Sequence, residues 1–250
     1  KLPEEIYKKF KLWLNELHKI TQFQIPRFYF AECNIKKIEL HMFCDASEQA
    51  TAAVGYWRIE NTSTSKVVFV TGKTACAPMR FHSIPKLELQ AALMAARLKD
   101  KILKCHDRIQ VNRVVFWCDS YTVIRWIRSD HRKYKQYVAN RVAEILENSD
   151  ICNWRWCPTL QNPADIATRA KFPVNYDPEG RWKNGPDFLL CGEEYWPNES
   201  AMGKREDKSE EFVMVTQDSS MIVTIINLQM KFWRQKENRP RCTKKVFSKR

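Results

Sequence analysis

The order in which strand-like and helix-like patterns follow one another most constrains the fold of this chain. Five runs have the pattern of strands, at residues 38–44, 51–60, 66–74, 113–118 and in "NWRWCP". Helical patterns cover residues 84–103, 121–127, 135–149 and 163–170. Three consecutive strands favour an antiparallel meander, and the later alternation of strands and helices favours parallel additions. The order β-β-β-α-β-α-α-β-α therefore predicts an α/β fold, in which a mixed five-stranded sheet carries helices on its faces.

The segments outside this pattern divide the chain further. At helical spacing, residues 3–20 have an apolar face made of Ile6, Phe10, Trp13, Leu14 and Leu17. Beyond residue 173 the chain is rich in Pro, Gly, Trp and charge, which is typical of irregular structure. We predict four parts: an N-terminal helix and connection segment at 1–37, the α/β domain at 38–173, a docked irregular extension at 174–198, and a charged linker with a basic C-terminal segment at 199–250.

Charge and cysteine usage limit the partners and the compartment. The formal net charge of +13 favours contact with a polyanion such as nucleic acid, or with an anionic membrane surface. The nine cysteines include no CxxC pair, so we expect a reducing compartment and no disulfide framework. No signal peptide is recognisable, and the apolar stretch "MIVTIINLQM" is too short to span a bilayer. We expect a protein that is not secreted, has no membrane partner and, because it does not begin with Met, is cut from a longer precursor.

Four carboxylates stand at the ends of the predicted elements. Asp45 ends the first strand and Asp119 ends the fourth, so the two face each other if those strands are neighbours. Glu88 is expected in the first turn of the long helix. Asp165 is expected at the start of the last helix, with Asn162 as its N-cap. Taken singly, each acid has a structural explanation, as a turn former or as a partner of a helix dipole.

The four acids together point to metal chemistry. Carboxylates gathered in one cleft repel each other strongly unless cations lie between them. Two divalent ions about 3.5–4 Å apart suit hydrolysis or transfer at phosphodiesters, and oxygen ligands with retained waters suit Mg²⁺ or Mn²⁺. An acidic metal-binding notch on a basic protein is the distribution of charge that a nuclease requires.

The local sequences around these acids resemble a known family. The segments are "FCDASEQATAAVGYW", "FHSIPKLELQAALMAARL", "VVFWCDSYTVIRWI" and "NPADIATRA". They are similar to the ribonuclease H (RNase H) domain of BEL/Pao-type long-terminal-repeat retrotransposon polyproteins. The resemblance is strong over residues 38–197, includes the connection segment before them, and is weak beyond residue 200. It implies an RNase H-like fold for residues 38–173.

The resemblance also implies an activity, cofactors and partners. The activity is cleavage of the RNA strand of RNA–DNA hybrids during reverse transcription, with Asp45, Glu88, Asp119 and Asp165 as catalytic residues and as ligands of two Mg²⁺ ions, which Mn²⁺ can replace. Asp45 would bridge both ions, Glu88 and Asp119 would complete the leaving-group side, and Asp165 would hold the ion that activates water. The implied partners are the hybrid and the reverse transcriptase and integrase parts of the same polyprotein. The expected location is a cytoplasmic virus-like particle or the nucleus.

The loop before the last acid and a basic run need separate interpretation. Many RNase H enzymes carry a mobile histidine just before the last catalytic Asp, but the loop "CPTLQNPAD" has none. His82 is the nearest histidine by motif, and we interpret it as structural. The run "RWIRSDHRKYKQYVANR" lies where the fold often keeps a hybrid-binding handle, although a solvated charge run is the alternative interpretation. The predicted nucleic-acid-binding residues are Arg125, Arg128, Arg132, Lys133, Lys135 and Arg141.

Three other functions fit parts of the pattern. A retroviral-type integrase shares the fold, but it has two Asp followed by a late Glu, whereas the Glu comes second here. A 3′–5′ exonuclease with four carboxylates has Asp-x-Glu on its first strand, and this chain has Asp45-Ala46-Ser47. A host-captured or decayed element, acting as a non-catalytic nucleic-acid-binding or interaction module, stays open, and the four intact acids weigh against it.

Overall fold

A computed structural model of the protein describes residues 3–22, 24–25, 28–30, 34–62, 64–80, 82–130, 134–169, 177 and 179–199. Within these residues the chain forms one sheet of five strands. The strands are β1 (Lys37–Ala46), β2 (Ala50–Glu60), β3 (Ser65–Cys76), β4 (Arg113–Cys118) and β5 (Trp154–Trp156), in the order β3-β2-β1-β4-β5. β2 pairs antiparallel with both β1 and β3, whereas β4 is parallel to both β1 and β5. The predicted mixed sheet is confirmed, and this is the strand arrangement that the RNase H resemblance implies.

The helices are α1 (Glu4–Glu16), α2 (Ile84–Cys105), α3 (Tyr121–Arg128), α4 (Gln136–Asn148), α5 (Ala164–Thr168) and α6 (Arg181–Asn184). α2 starts with a proline in its first turn, as the sequence predicts, and its buried residues are all Leu, Ala or Ile. α1 has no buried residue. No described helix combines the length and the apolar character that crossing a membrane requires.

The face of the sheet that α2 and α4 cover is mainly aliphatic. Every second residue of β1 faces these helices, because successive side chains of a strand point to opposite faces. Leu40 and Met42 thus join a buried cluster with Leu89 and Ile102 of α2. At Gly55 of β2, an added Cβ would lie 2.9 Å from both the Ile102 Cδ1 and the Met42 Sδ. The missing side chain at Gly55 therefore allows α2 to pack closely on the sheet.

The opposite face is covered by residues 181–199, which we call the cover segment. Phe43 and Trp117 of the sheet pack there against Phe188 of the cover segment, and all three are buried. The Tyr56 hydroxyl donates a hydrogen bond to the Trp182 carbonyl at 2.7 Å. These contacts attach the cover segment through rings and main-chain carbonyls, because it has little regular structure of its own.

A buried ionic cluster lies beneath the cover segment. Arg58 donates to the Leu189 carbonyl at 2.8 Å through Nε and to Glu39 at 3.0 Å through a terminal nitrogen. The Trp117 indole donates to His41 Nδ1 at 3.0 Å, so the imidazole proton is on Nε2, which faces Glu39. Burial lowers the pKa of His41, which keeps the ring neutral. Burial opposes ionisation of Glu39, but hydrogen bonds from His41 and a neighbouring lysine outweigh it and lower the Glu39 pKa.

Three details differ from the sequence-based expectations. Glu88 lies in the second turn of α2, because Ser83 is the N-cap and the helix begins at Ile84. The N-cap of α5 is Pro163 and not Asn162, although the Asn162 side-chain oxygen accepts a hydrogen bond from the Ala164 amide at 3.1 Å while its nitrogen bonds the sheet. The first helix ends at Glu16, and a 3-10 helix follows over Leu17–Gln22.

Candidate active site

The parallel pairing of β1 with β4 brings two of the predicted acids to one edge of the sheet. Cys44 pairs with Cys118, so Asp45 and Asp119 are the next residues at the same ends of adjacent strands. Asp45 is buried, and Asp119 is partly buried. The edge of the sheet therefore holds two neighbouring carboxylates that have little access to water.

The short helix α5 places Asp165 at the same edge. The Asn162 side-chain amide donates to the Cys44 carbonyl at 2.9 Å, and the Thr168 hydroxyl donates to the Asp45 carboxylate. Asp165 lies between these two anchors, and its charge acts on both Asp45 and Asp119. Thr168 was not predicted as a site residue, because nothing in the local sequence indicates that this helix packs against β1.

Glu88 reaches the site from α2. The Ser120 hydroxyl donates to a Glu88 carboxylate oxygen at 2.6 Å. The same hydroxyl accepts a hydrogen bond from the Val123 amide at 3.3 Å and so caps α3. Ser120 therefore fixes the position of Glu88 relative to Asp119, its neighbour in the chain. A serine just before a helical pattern is a recognisable N-cap, but the sequence does not show that it also bonds a second helix.

Burial and mutual repulsion raise the pKa values of the clustered acids. Burial, followed by the charge of Asp119, raises the pKa of Asp45 to about 6, although the bond from Thr168 opposes this shift. Burial raises the pKa of Glu88 to about 7, where the bond from Ser120 opposes the shift and the charges of Asp119 and Asp45 add to it. Without a counter-charge, the cluster therefore holds protons at pH values where an isolated carboxylate would be ionised.

One carboxylate oxygen of Asp119 has no hydrogen-bond donor among the described residues. Burial raises the pKa of Asp119, a hydrogen bond from Thr159 opposes the shift, and the charge of Asp165 adds to it. That oxygen is Oδ1, which is buried. A buried oxygen without a donor carries a free-energy penalty that a bound cation would remove.

The donor set fits a hard divalent cation, but no metal site is fully formed. All four side chains offer oxygen, which Mg²⁺ and Mn²⁺ prefer. Within the described residues, no three His, Cys, Asp or Glu side chains converge into a group that could hold a metal ion. One buried Asp165 oxygen lies 2.6 Å from the Nε of the exposed Arg169 in an ion pair without hydrogen-bond geometry. A positive charge thus already neighbours Asp165.

The loop before Asp165 contains no imidazole, and His82 is used elsewhere. The segment Thr159–Gln161 forms a 3-10 turn, and Leu160 within it is 84% exposed. His82 shares a hydrogen bond of 2.8 Å with the Arg80 carbonyl, and its ring lies 5.4 Å from that of Tyr137. These contacts give His82 structural partners.

The predicted nucleic-acid-binding residues have different surroundings. Arg125 and Lys135 are exposed, whereas Arg132 and Lys133 lie outside the described residues. The Arg141 guanidinium stacks over the Tyr137 ring at 3.4 Å and bonds to Gln90. Arg128 is held by Glu199 of the cover segment and by the Trp154 carbonyl. Both arginines are therefore already engaged by protein groups.

Comparison with known proteins gives one family match and several remote structural likenesses. No curated protein matches the chain. An RNase H1 from Halobacterium salinarum NRC-1 is 12% identical, with 52% of this chain and 91% of that one covered at a TM-score of 0.32. The N-terminal RNase H domain of a Mycobacterium tuberculosis protein, solved as a fusion with maltose-binding protein, is 10% identical. The match covers 53% of this chain and 94% of that one at a TM-score of 0.35. LC11-RNase H1, solved in complex with an RNA/DNA hybrid, is 16% identical. The match covers 52% of this chain and 91% of that one at a TM-score of 0.31.

The family match covers three of the four acids. The model described as "Pao retrotransposon-like RNaseH-like domain" matches residues 1–120, which include Asp45, Glu88 and Asp119. Asp165 lies beyond the matched residues, so its placement in the site rests on the contacts of α5. Residues 1–120 of this chain are therefore similar to the Pao retrotransposon-like RNase H-like domain family.

Proposed function

We propose that this chain is a metal-dependent ribonuclease that hydrolyses the RNA strand of RNA–DNA hybrids. The observation that carries the proposal is the cluster of Asp45, Glu88, Asp119 and Asp165, which come from four elements and interact electrostatically at one edge of the sheet. Burial and repulsion between carboxylates raise the pKa values of Asp45, Glu88 and Asp119, which is costly for the fold, and perturbed acids in a cleft are typical of functional sites.

The four acids would share two divalent ions, Mg²⁺ or Mn²⁺. Asp45 would contact both ions, Glu88 and Asp119 would complete the leaving-group side, and Asp165 would hold the side of the attacking water. When bound, such ions supply Lewis acidity at the phosphate and lower the pKa of a bound water. The residues of the chain contribute orientation: Thr168 fixes Asp45, and Ser120 fixes Glu88.

The family likeness and the charge support the proposed substrate class. A net charge of +13 favours a polyanion, and an RNA strand is distinguished from DNA by its 2′-hydroxyl groups. The family also supports a retrotransposon polyprotein as the source, with the reverse transcriptase and integrase parts as partners. A cytoplasmic virus-like particle or the nucleus would then be the place of action.

The substrate is tested with labelled duplexes of one sequence. The chain is expected to cleave the RNA strand of a hybrid in Mg²⁺, to leave the DNA duplex intact, and to leave a 5′-phosphate and a 3′-hydroxyl. An Asp119→Asn preparation, purified in parallel, controls for contaminating nucleases. Equal cutting of the DNA duplex would contradict the proposal. Hybrid binding without cleavage would instead assign the chain to the non-catalytic nucleic-acid-binding class.

A further inference from the structure

Arg128 connects the proposed hybrid contact to the cover segment. It ends α3, which has 8 residues, starts two residues after Asp119 and spans about 12 Å. Because the phosphates of one strand follow at about 3.4 Å along a duplex axis, this distance corresponds to about four nucleotides. Arg128 is therefore close enough to the acids to contact a phosphate of a duplex bound at the site.

The Arg128 guanidinium already holds a carboxylate. Its two terminal nitrogens lie 2.7 and 2.5 Å from the two Glu199 carboxylate oxygens, which is a bidentate ion pair. One of these nitrogens also donates to the Trp154 carbonyl at 3.0 Å. A carboxylate in this position presents two anionic oxygens to the guanidinium, as a phosphate would.

The cover segment holds Glu199 near Arg128. Three residues before Glu199, the buried Trp196 ring lies 5.4–5.7 Å from three guanidinium groups, those of Arg58, Arg113 and Arg155. Glu193 accepts two hydrogen bonds from Arg113, at 2.8 and 3.0 Å, and pairs with Arg155. Because these contacts fix the chain just before it, Glu199 acts on Arg128 as an intramolecular ligand at high effective concentration.

We infer that Glu199 is an autoinhibitory group, which occupies Arg128 and competes with a phosphate of the nucleic acid for its guanidinium. The inference rests on the proposed function only in taking an RNA–DNA hybrid as the ligand. A hybrid that reaches Arg128 must displace Glu199, and a bound hybrid that does not displace it lacks one phosphate contact. In either case the hybrid binds more weakly, and the cause is the ion pair between Arg128 and Glu199.

The test compares three substitutions in the full 250-residue chain. Glu199→Gln removes the competing charge and keeps the shape of the side chain. Glu194→Gln is the matched control, because Glu194 is an exposed glutamate of the same segment and no arginine pairs with it among the described residues. Arg128→Gln removes the guanidinium but retains an N–H donor for the Trp154 carbonyl. Binding of a labelled hybrid is measured in EDTA across a series of salt concentrations, so that cleavage plays no part.

The expected result is specific to Glu199 and Arg128. Glu199→Gln should bind the hybrid about two- to fivefold more tightly at low salt, the range for an exposed ion pair. Its salt slope should steepen by about one log unit, as one added phosphate contact predicts. Arg128→Gln should abolish this gain when combined with Glu199→Gln and should change little by itself.

Three outcomes would overturn the inference. These are an equal gain in Glu194→Gln, a gain in Glu199→Gln that survives Arg128→Gln, or no hybrid binding by any variant. Loss of cleavage with the expected binding pattern would instead contradict only the proposed hydrolysis, because the binding series contains no metal.

Discussion

The two faces of the sheet are covered by different chemistry. On one face, α2 and α4 bury a continuous aliphatic cluster that includes Leu89 and Ile102. On the other, a cover segment without long helices is held by aromatic rings and by the buried Arg58, which reaches its main-chain carbonyls. The first face depends on the hydrophobic effect and close packing, and the second depends on the geometry of a few polar groups.

The candidate site lies where the two faces meet. Glu88 comes from the helix-covered side, whereas α5, which carries Asp165, packs on the same side as the cover segment through Ala164. Asp45 belongs to the strand between them. A defect in the packing on either face is therefore expected to affect the position of one of the acids.

The largest expected effect is at the buried ion pair. Arg58→Met removes the guanidinium that pairs with the buried Glu39 carboxylate and donates to the Leu189 and Cys191 carbonyls of the cover segment, which should destabilise the fold by about 3–5 kcal/mol. Leu89→Ala on the other face should cost about 2–5 kcal/mol through the cavity that it leaves. Urea unfolding gives both values, and limited proteolysis should show release of the cover segment only in Arg58→Met.

A double substitution tests whether Arg58 and Glu39 stabilise the fold as a pair. Adding Glu39→Met to Arg58→Met removes a buried carboxylate that has lost its guanidinium partner, so the double variant should be more stable than the Arg58→Met protein. Recovery should be incomplete, because the Leu189 carbonyl still lacks its donor. Strictly additive losses would mean that the two side chains stabilise the fold independently, and the contrast between the faces would fail.

Burial of the acids at the edge of the sheet, together with their mutual repulsion, should appear as a pH dependence of stability. The pKa of Glu88 is raised from 4.5 to about 7. The folded chain therefore keeps a proton that the unfolded chain loses above pH 4.5, and this contribution to stability is lost as the pH rises through 7. In EDTA, Glu88→Gln should exceed the wild type in stability by about 3 kcal/mol at pH 8 and by little at pH 4.

Thermal or urea unfolding of the two proteins across this range checks the expectation. Glu193→Gln is the contrast, because hydrogen bonds from Arg113 lower the pKa of Glu193 to about 2. Removing the Glu193 charge should destabilise the fold at neutral pH, whereas removing the Glu88 charge should stabilise it. A Glu88→Gln protein that is less stable than the wild type at pH 8 would show that an ionised Glu88 does not destabilise the fold.

The smallest expected effect concerns Arg169. Its ion pair with the partly buried Asp165 links residues four apart, and helical pairs of this spacing stabilise by about 0.3–0.5 kcal/mol. Because a metal ion must displace the guanidinium from Asp165, Arg169→Gln should tighten Mn²⁺ binding by about twofold in calorimetry. Weaker binding would mean that Arg169 supports the metal site and does not compete with it.

The fold could be predicted because its signals are local. Alternation along β1 and β2, the alanine- and leucine-rich α2 and the apolar β4 each determine an element, and their order leaves few topologies. Asp45 and Asp119 could be placed at one edge for the same reason, since both directly follow residues of parallel strands.

The supporting contacts could not be predicted, because they join residues that are distant in the sequence. Thr168 bonds Asp45 across 123 positions, and Arg58 bonds the Leu189 carbonyl across 131. His41 and Glu39 read as ordinary residues in a strand, and only the tertiary structure shows that both are buried beneath Trp196. The composition of the chain does not indicate which side chains bind the cover segment to the sheet.

The most direct test is single-turnover cleavage of a labelled RNA–DNA hybrid by Asp45→Asn. Asp45 lies at the centre of the acid cluster, and its neutral isostere keeps the shape of the side chain. The rate in Mg²⁺ should fall by roughly a hundredfold or more, the scale expected when a preorganised charge at the reacting centre is lost. Asp187→Asn, the same change at an exposed position of the cover segment, should retain the wild-type rate. Full activity of Asp45→Asn, with the fold intact by circular dichroism, would contradict the assignment of the sheet edge as the active site.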